Sequence, residues 1–504
     1  MNAGWWCAKA GTDAWLPALL AASVARLWLM PLPSSFWIDE MATVFVVKRG
    51  ASDPSLAAAP QVAQSIYYWL PRGAQALFGS SEVAYRLASV AAMAAALYLV
   101  ARLAARLIHP GARWFAVFAA LALSGFDYQA ADARPYALGA CVAAAGVFTL
   151  VRWLDTARWR DGLLFALFAA LLWRVHLVYW PFYLVFAAYA LARLLRRETR
   201  AGWAQVGAVF GLAGAALVPV LVDAVALFRE AQAHVIAAPP SLRVLEHALR
   251  WNLVLICGAG AWFLGRFRGR TPSAGARADA GGSRGREKSG LVLIAAWWLC
   301  QPLCLFAFSW LTGNSVFVPR YLSVMLPGVA LAATAVTAWF LPAASLNRLA
   351  AALGVGGLLF LGQWGRLWPA HEHSDWRGAA RKVNSLALGP DTPVICPSPF
   401  IEAQPPVWRP DYRLPGFLYA HLSVYPISGT AVLFPFEPSP GAERYAASLV
   451  SGPLAASRRF ILYGWDGSTA VGFWRNWFAS RPELTGWRQT RFPFGDVDVV
   501  TFER

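Results

Sequence analysis

The sequence predicts a polytopic α-helical membrane protein of about eleven transmembrane helices, with a small α/β domain at its C-terminal end. Three observations carry that reading. Of the 504 residues, 58% are hydrophobic and 14% charged, whereas soluble domains carry about 25% charged residues. The 26 Trp and 30 Phe add apolar surface that would aggregate in water. Lys and Arg outnumber Asp and Glu by 44 to 27, yet the cations lie between apolar segments, as in cytoplasmic loops, so a nucleic-acid partner is not indicated. The six Cys show no paired spacing, which argues against a disulfide framework or a zinc finger.

A hydrocarbon core of about 30 Å needs about 20 apolar residues per helix. Windows of that kind lie at about 14–32, 84–107, 114–126, 136–153, 162–174, 177–194, 203–222, 250–265, 290–311, 321–341 and 347–365. Arg26 interrupts the first, and no small-x-small cleavage site follows, so it reads as a retained helix rather than a signal peptide. Alternate connections are basic: Arg102, Arg106 and Arg113; Arg152, Arg158 and Arg160; Arg193, Arg196, Arg197 and Arg200; and the run from Arg266 to Lys288. These should be cytoplasmic. Residues 266–290, rich in Gly, Ser and Arg, read as a disordered loop.

The character changes near residue 366, which divides a membrane domain (1–365) from a C-terminal domain (366–504). In the latter, strand-like runs cover Pro393 to Cys396, Arg459 to Tyr463 and Asp496 to Phe502, and helix-like stretches cover Asp375 to Leu386 and Ala470 to Ala479. An odd number of spans puts this domain opposite the cytoplasm.

Charged groups at membrane depth are expensive, so those that persist mark sites or partners. Phe36-Trp37-Ile38-Asp39-Glu40 follows the first span; its acids suit either a general base or a helix cap, with Asp39 ahead of Glu40 to Arg49. Asp127 to Tyr136 holds two acids, Arg134 and two Tyr between the third and fourth spans. There Pro135 starts a helix and sets Asp132 near its cap. His176 beside Arg174 reads as an interfacial residue, and Val318-Pro319-Arg320-Tyr321 brings a guanidinium to the surface, for a phosphate or for lipid headgroups. All four places fall on the non-cytoplasmic side, which scattered caps would not favour.

Several segments resemble the GT-C membrane glycosyltransferases of bacteria, of the protein-mannosyltransferase and lipid A aminoarabinose-transferase type. They are Trp37-Ile38-Asp39-Glu40, Leu77 to Glu82 leading to Tyr85-Arg86-Leu87-Ala88-Ser89, Asp132 to Leu138, His176, and Pro319-Arg320-Tyr321-Leu322. Their order and spacing match over about residues 14–340. The resemblance implies inverting transfer of a sugar from a polyprenyl-phosphate donor to an extracytoplasmic acceptor (lipid, glycan or protein) in the bacterial inner membrane. It makes Asp39 the base, with Glu40 beside it and Asp132 a second site carboxylate, and gives Arg134, Tyr136, His176, Arg320, Tyr321 and Tyr67 to substrate. Where relatives carry a cation before paired Tyr, this chain has Ala63-Gln64-Ser65-Ile66-Tyr67-Tyr68. Lys48, Arg49 or Arg72 would have to substitute. No cofactor is implied with certainty, and a divalent metal near Asp39, Glu40 and Asp132 stays open.

The residues themselves agree with such chemistry, because a lipid-linked phosphate leaving at the interface needs cations and donors rather than a nucleotide fold. No Gly-rich phosphate loop is visible. The competing reading is a transporter or flippase of lipid-linked sugars, which would want polar groups at the midplane; a third is a scaffold presenting the C-terminal domain. The acids of that domain, such as Asp375, Asp411 and Asp466, sit in no recognised motif, so it is expected to tune acceptor choice.

Overall fold

The structure is a computed structural model that describes residues 15–231, 238–267, 284–466 and 471–504. It is mostly helical and divides into two compact units. The first takes in the described residues of Met1–Pro31, Ser65–Tyr67 and Arg86–Pro369; the second comprises Leu32–Gln64, Tyr68–Tyr85 and Ala370–Arg504.

Among the described residues, seven helices are long and apolar enough to cross a membrane: Glu82–Leu107, Tyr136–Thr156, Leu177–Leu195, Trp203–Val225, Lys288–Thr312, Pro319–Phe340 and Ala343–Leu361. Each coincides with a window read from the sequence. Leu242–Ala248 and Trp251–Phe267, bent by 54°, make an eighth if they cross as one. The other three windows give shorter elements: Trp15–Leu29, Trp159–Val175 with 17 residues, and Arg113–Leu121 with nine. Nine residues span only about 14 Å. Hydropathy counts apolar residues but does not see a backbone turn, and here Leu123 is extended before the helix Ser124–Ala130. These helices therefore do not carry the count of eleven, nor the parity argument for sidedness. Residues 14, 268–283 and 470, which the sequence reading had placed in a span, a loop and a helix, lie outside the described residues. Arg284 to Lys288, read as loop, belong to the helix Arg284–Thr312; Arg, Glu and Lys are good helix formers, and Gly285 alone is not.

In the first unit, helices approach closely through small residues, because lipid provides no hydrophobic drive between them. Tyr136–Thr156 is largely enclosed, lined by Ala137, Ala140, Ala143 and Ala144. A Cβ on Gly139 would collide with the Tyr179 ring, so that ring packs directly on backbone. Arg26, the apparent flaw in the first span, donates to the carbonyls of Gly362, Gln363, Arg366 and Leu367 at 2.7–3.0 Å. It thereby satisfies carbonyls in and beyond the C-terminal end of Ala343–Leu361, where a cation also suits the helix dipole. At the basic ends of three other helices, the Asp155 carboxylate accepts from Arg106 and Arg193.

The second unit contains a five-stranded sheet of order β2-β1-β3-β5-β4, with β1 Pro393–Pro397, β2 Thr430–Phe434, β3 Arg459–Trp465, β4 Arg488–Phe494 and β5 Val497–Glu503. β1 lies parallel to β2 and β3, Pro393 opposite Thr430 and Val394 opposite Ile461; β5 runs antiparallel to β3 and β4. The β4–β5 turn uses Gly495 at φ 71°, where a Cβ would collide with the His373 carbonyl. Trp376–Leu386, capped by Asp375 accepting from Gly378 N at 2.9 Å, buries Trp376, Ala379, Ala380 and Val383. The three strands and both helices expected from sequence are present, apart from shifts of a residue or two at their ends. β2, β4 and the helix Pro440–Leu449 are additional.

Candidate functional site

In the first unit, three of the four segments singled out from sequence converge. Tyr136 opens its helix just past the Asp132–Pro135 connection; Pro135 is the cap and its side chain makes no capping bond, so Asp132 is not the cap residue. His176 ends Trp159–Val175 in an extended conformation and starts the short turn Leu177–Tyr179. Tyr321 belongs to the 3₁₀ turn Pro319–Met325, opened by Pro319. The His176 ring stacks on Tyr136 at 5.7 Å and meets Tyr321 at 5.0 Å, with Tyr136 and Tyr321 6.1 Å apart. Arg134 lies 5.8 Å over the Tyr136 ring and Arg320 5.6 Å over that of Tyr321, each within cation–π range.

Two guanidiniums therefore flank one imidazole. Burial, and then the charges of Arg134 and Arg320, push His176 down to about 3. It is neutral at physiological pH, and its Nδ1 accepts from Val178 N at 3.3 Å, which assigns the proton to Nε2. A neutral imidazole adds no charge of its own beside these two cations. Guanidinium groups in general offer phosphate a forked pair of donors. Asp132 is fully buried in this unit. Tyr67, also fully buried, shares a 3.3 Å hydrogen bond with Ser89.

Supporting residues were missed by sequence reasoning. Gln301 donates to the carbonyls of Val178 and Tyr321 at 3.0 and 3.1 Å, tying the His176 turn to the Tyr321 turn. Tyr179 and Ser323 hydroxyls pair at 3.1 Å across the same two turns. A lone Gln inside an apolar span is a signal that could have been followed. Asp127, quoted in its motif but given no role, accepts from Trp28 Nε1 at 2.7 Å; burial holds its carboxyl well above the usual range.

The second unit holds Asp39, Glu40, Lys48 and Arg72. The helix is Ile38–Arg49, so Asp39 lies in its first turn rather than at its cap. The capping carboxylate is that of Glu40, which is fully buried and accepts from Trp37 N at 3.2 Å. Lys48, nine residues on, is exposed in the last turn, about 14 Å along the axis from Asp39. Arg72 is exposed beside Trp69, 5.7 Å from its ring centre. A Glu40 carboxylate oxygen and a His371 ring nitrogen lie within 4.8 Å of one another. This pair offers an oxygen and a nitrogen suited to a divalent ion. No cofactor is established, and no step below passes through a metal.

Residues 65–222 match the family model of dolichyl-phosphate-mannose-protein mannosyltransferases. The crystal structure of ArnT from Cupriavidus metallidurans in the apo state is similar over 97% of this chain and 97% of that one, with 12% identity and a TM-score of 0.56. ArnT from the same organism bound to undecaprenyl phosphate is similar over 97% and 98%, with 12% identity and a TM-score of 0.51. No curated sequence matches the chain. The fold is that of the ArnT structures, with several helices long and apolar enough to cross a membrane, and the family match falls on residues 65–222 of it. Both findings agree with the GT-C resemblance carried by the sequence motifs.

Proposed function

We propose that this protein is an inverting glycosyltransferase that takes a sugar from a polyprenyl-phosphate donor and delivers it to an extracytoplasmic lipid, glycan or protein. The observation that carries the reading is the pair of guanidiniums, Arg134 and Arg320, set on Tyr136 and Tyr321 around a neutral His176. Undecaprenyl phosphate in the similar ArnT structure supports a donor of that class. The acceptor oxygen attacks the anomeric carbon from the face opposite the phosphate, and the bond from that carbon to the phosphate oxygen breaks. The acceptor proton passes to a carboxylate, which we assign to Asp39, and polyprenyl phosphate departs as an anion held by the guanidiniums. Asp132, Tyr67, Lys48 and Arg72 remain assigned to the site by resemblance.

The active face and the C-terminal domain, in this proposal, are extracytoplasmic in a bacterial inner membrane. The meeting of Arg106 and Arg193 on Asp155 supports a common, cytoplasmic side for the basic helix ends.

The test is donor binding and turnover. Undecaprenyl phosphate should raise the Tm of the wild type, and Arg320→Ala or Arg134→Ala should reduce that shift and lower kcat/KM by about 10²-fold, as loss of a charge-stabilising donor does. Unchanged binding and turnover in both variants would remove the phosphate assignment. Binding without any bond cleavage would favour the transporter reading.

A further inference from the structure

The residues leading into the Asp39–Glu40 turn are held by side chains and backbone that come from far along the sequence, all within the second unit. Arg377 donates from Nη2 to Pro33 O at 2.8 Å. The His371 amide donates to Ser34 Oγ at 3.1 Å, and the Arg377 amide to Ser35 Oγ at 3.1 Å. Phe36 N donates to the Tyr425 hydroxyl at 2.9 Å. Four consecutive residues, 33 to 36, are thus fixed one by one by the C-terminal segment. Next inward come the capping bond from Trp37 N to Glu40 and the first turn that carries Asp39.

A shared carboxylate joins the two clamping side chains. Glu82 Oε1 accepts from Arg377 Nη1 at 3.0 Å and from the Tyr425 hydroxyl at 2.9 Å. Tyr425 is therefore a relay, accepting from Phe36 and donating to Glu82. Burial and the Glu82 charge push its hydroxyl further up from its ordinary value, so it keeps its proton at any working pH. The Phe36 ring is also enclosed, edge-on to Tyr85 at 5.7 Å and 6.4 Å from Tyr425. Arg377 sits in the first turn of Trp376–Leu386 and Tyr425 just past the end of Ala420–Val424, so both are fixed by elements of the C-terminal domain.

We propose that Arg377 and Tyr425 are positioning residues which, through Glu82 and the segment Pro33–Phe36, set the orientation of the Asp39 carboxylate. The C-terminal domain thereby takes part in the chemistry without touching the reacting atoms. This rests on Asp39 being the base. A displacement of about 1 Å at a reacting group can cost about 10²-fold in rate, which sets the scale expected for loosening the clamp.

The experiment uses full-length protein and a radiolabelled polyprenyl-phosphate sugar. Tyr425→Phe removes one hydroxyl and keeps the ring; Glu82→Gln removes the shared charge. Each should lower kcat by about 10- to 100-fold, leaving the KM for donor and the undecaprenyl-phosphate Tm shift near wild type. Arg377→Lys should retain more activity than Arg377→Gln. The deciding measurement is the double variant: in an Asp39→Asn background, Tyr425→Phe should cost nothing further, because its effect passes through that carboxylate. A merely structural role would lower activity in both backgrounds and lower Tm. Wild-type kcat in both Tyr425→Phe and Glu82→Gln, with Asp39→Asn inactive, overturns the positioning role alone. Active Asp39→Asn overturns the base assignment beneath it. Should Tyr425→Phe not fold, Glu82→Gln in the two backgrounds decides.

Discussion

Glu40 and Asp39 are adjacent acids to which we propose different roles. Their chemistry alone could not divide base from cap, because either residue at a helix start can accept backbone N–H bonds. The backbone resolves the capping half: the helix begins at Ile38, and Trp37 N is bonded to Glu40. His421 was invisible for a different reason, since a lone His in a polar stretch carries no pattern. It is fully buried among Trp376, Tyr419 and Tyr463, and neither ring nitrogen has a hydrogen-bond partner among the described residues. Burial pushes it down to about 3 from 6.5. Between these values the unfolded chain binds a proton that the folded chain does not, so stability falls as pH drops from 6.5 toward 3. The expected loss from neutral pH to pH 5 is roughly 2 kcal/mol. Thermal melts at pH 7 and 5 should show it in the wild type, and His421→Leu should flatten the difference; an equal drop in both would place the acid sensitivity elsewhere.

At the level of elements, legibility followed the apolar runs. β1, β3 and β5 are buried over most of their length and read as strands directly. β4, Arg-Gln-Thr-Arg-Phe-Pro-Phe, is a largely exposed edge with a Pro and two Arg, and its charges hid the alternation. Long spans were legible; the short helices near 113–121 were not distinguishable from spans, since composition does not mark where the chain turns. The Gly139 contact with Tyr179 also lies beyond sequence, yet it places the ring beside His176, 5.7 Å away. Gly139→Ala should destabilise by about 1 to 3 kcal/mol through overpacking and weaken undecaprenyl-phosphate binding by displacing the His176 turn. A melt together with a binding titration checks both, and a neutral result would mean that Tyr179 yields without cost.

For the whole molecule, the four marked segments were read as one site because the resemblance ordered them, and each carried aromatics or charges beside a span. Arg377 and Tyr425 sit in no motif and were absent from that reading, and Glu82, quoted in a matching segment, was given no role, because tertiary contacts link positions hundreds of residues apart. The proposed topology rests on the Arg distribution. A protease site placed between Arg266 and Lys288 should be cut only from the cytoplasmic side of intact membranes, and one appended after Arg504 only from the other. Cleavage of both from the same side would reverse the placement of the C-terminal domain.

The central claim is carboxylate-assisted sugar transfer from a lipid phosphate, and its most direct measurement is transfer from a radiolabelled polyprenyl-phosphate sugar by wild type and Asp39→Asn. Asn is nearly isosteric, and loss of a first-turn charge costs a helix at most about 1 kcal/mol. Removal of a general base lowers turnover by about 10² to 10⁴. Turnover should collapse in this way with Tm and undecaprenyl-phosphate binding retained, and fall less in Glu40→Gln. Near-wild-type transfer by folded Asp39→Asn would contradict that claim.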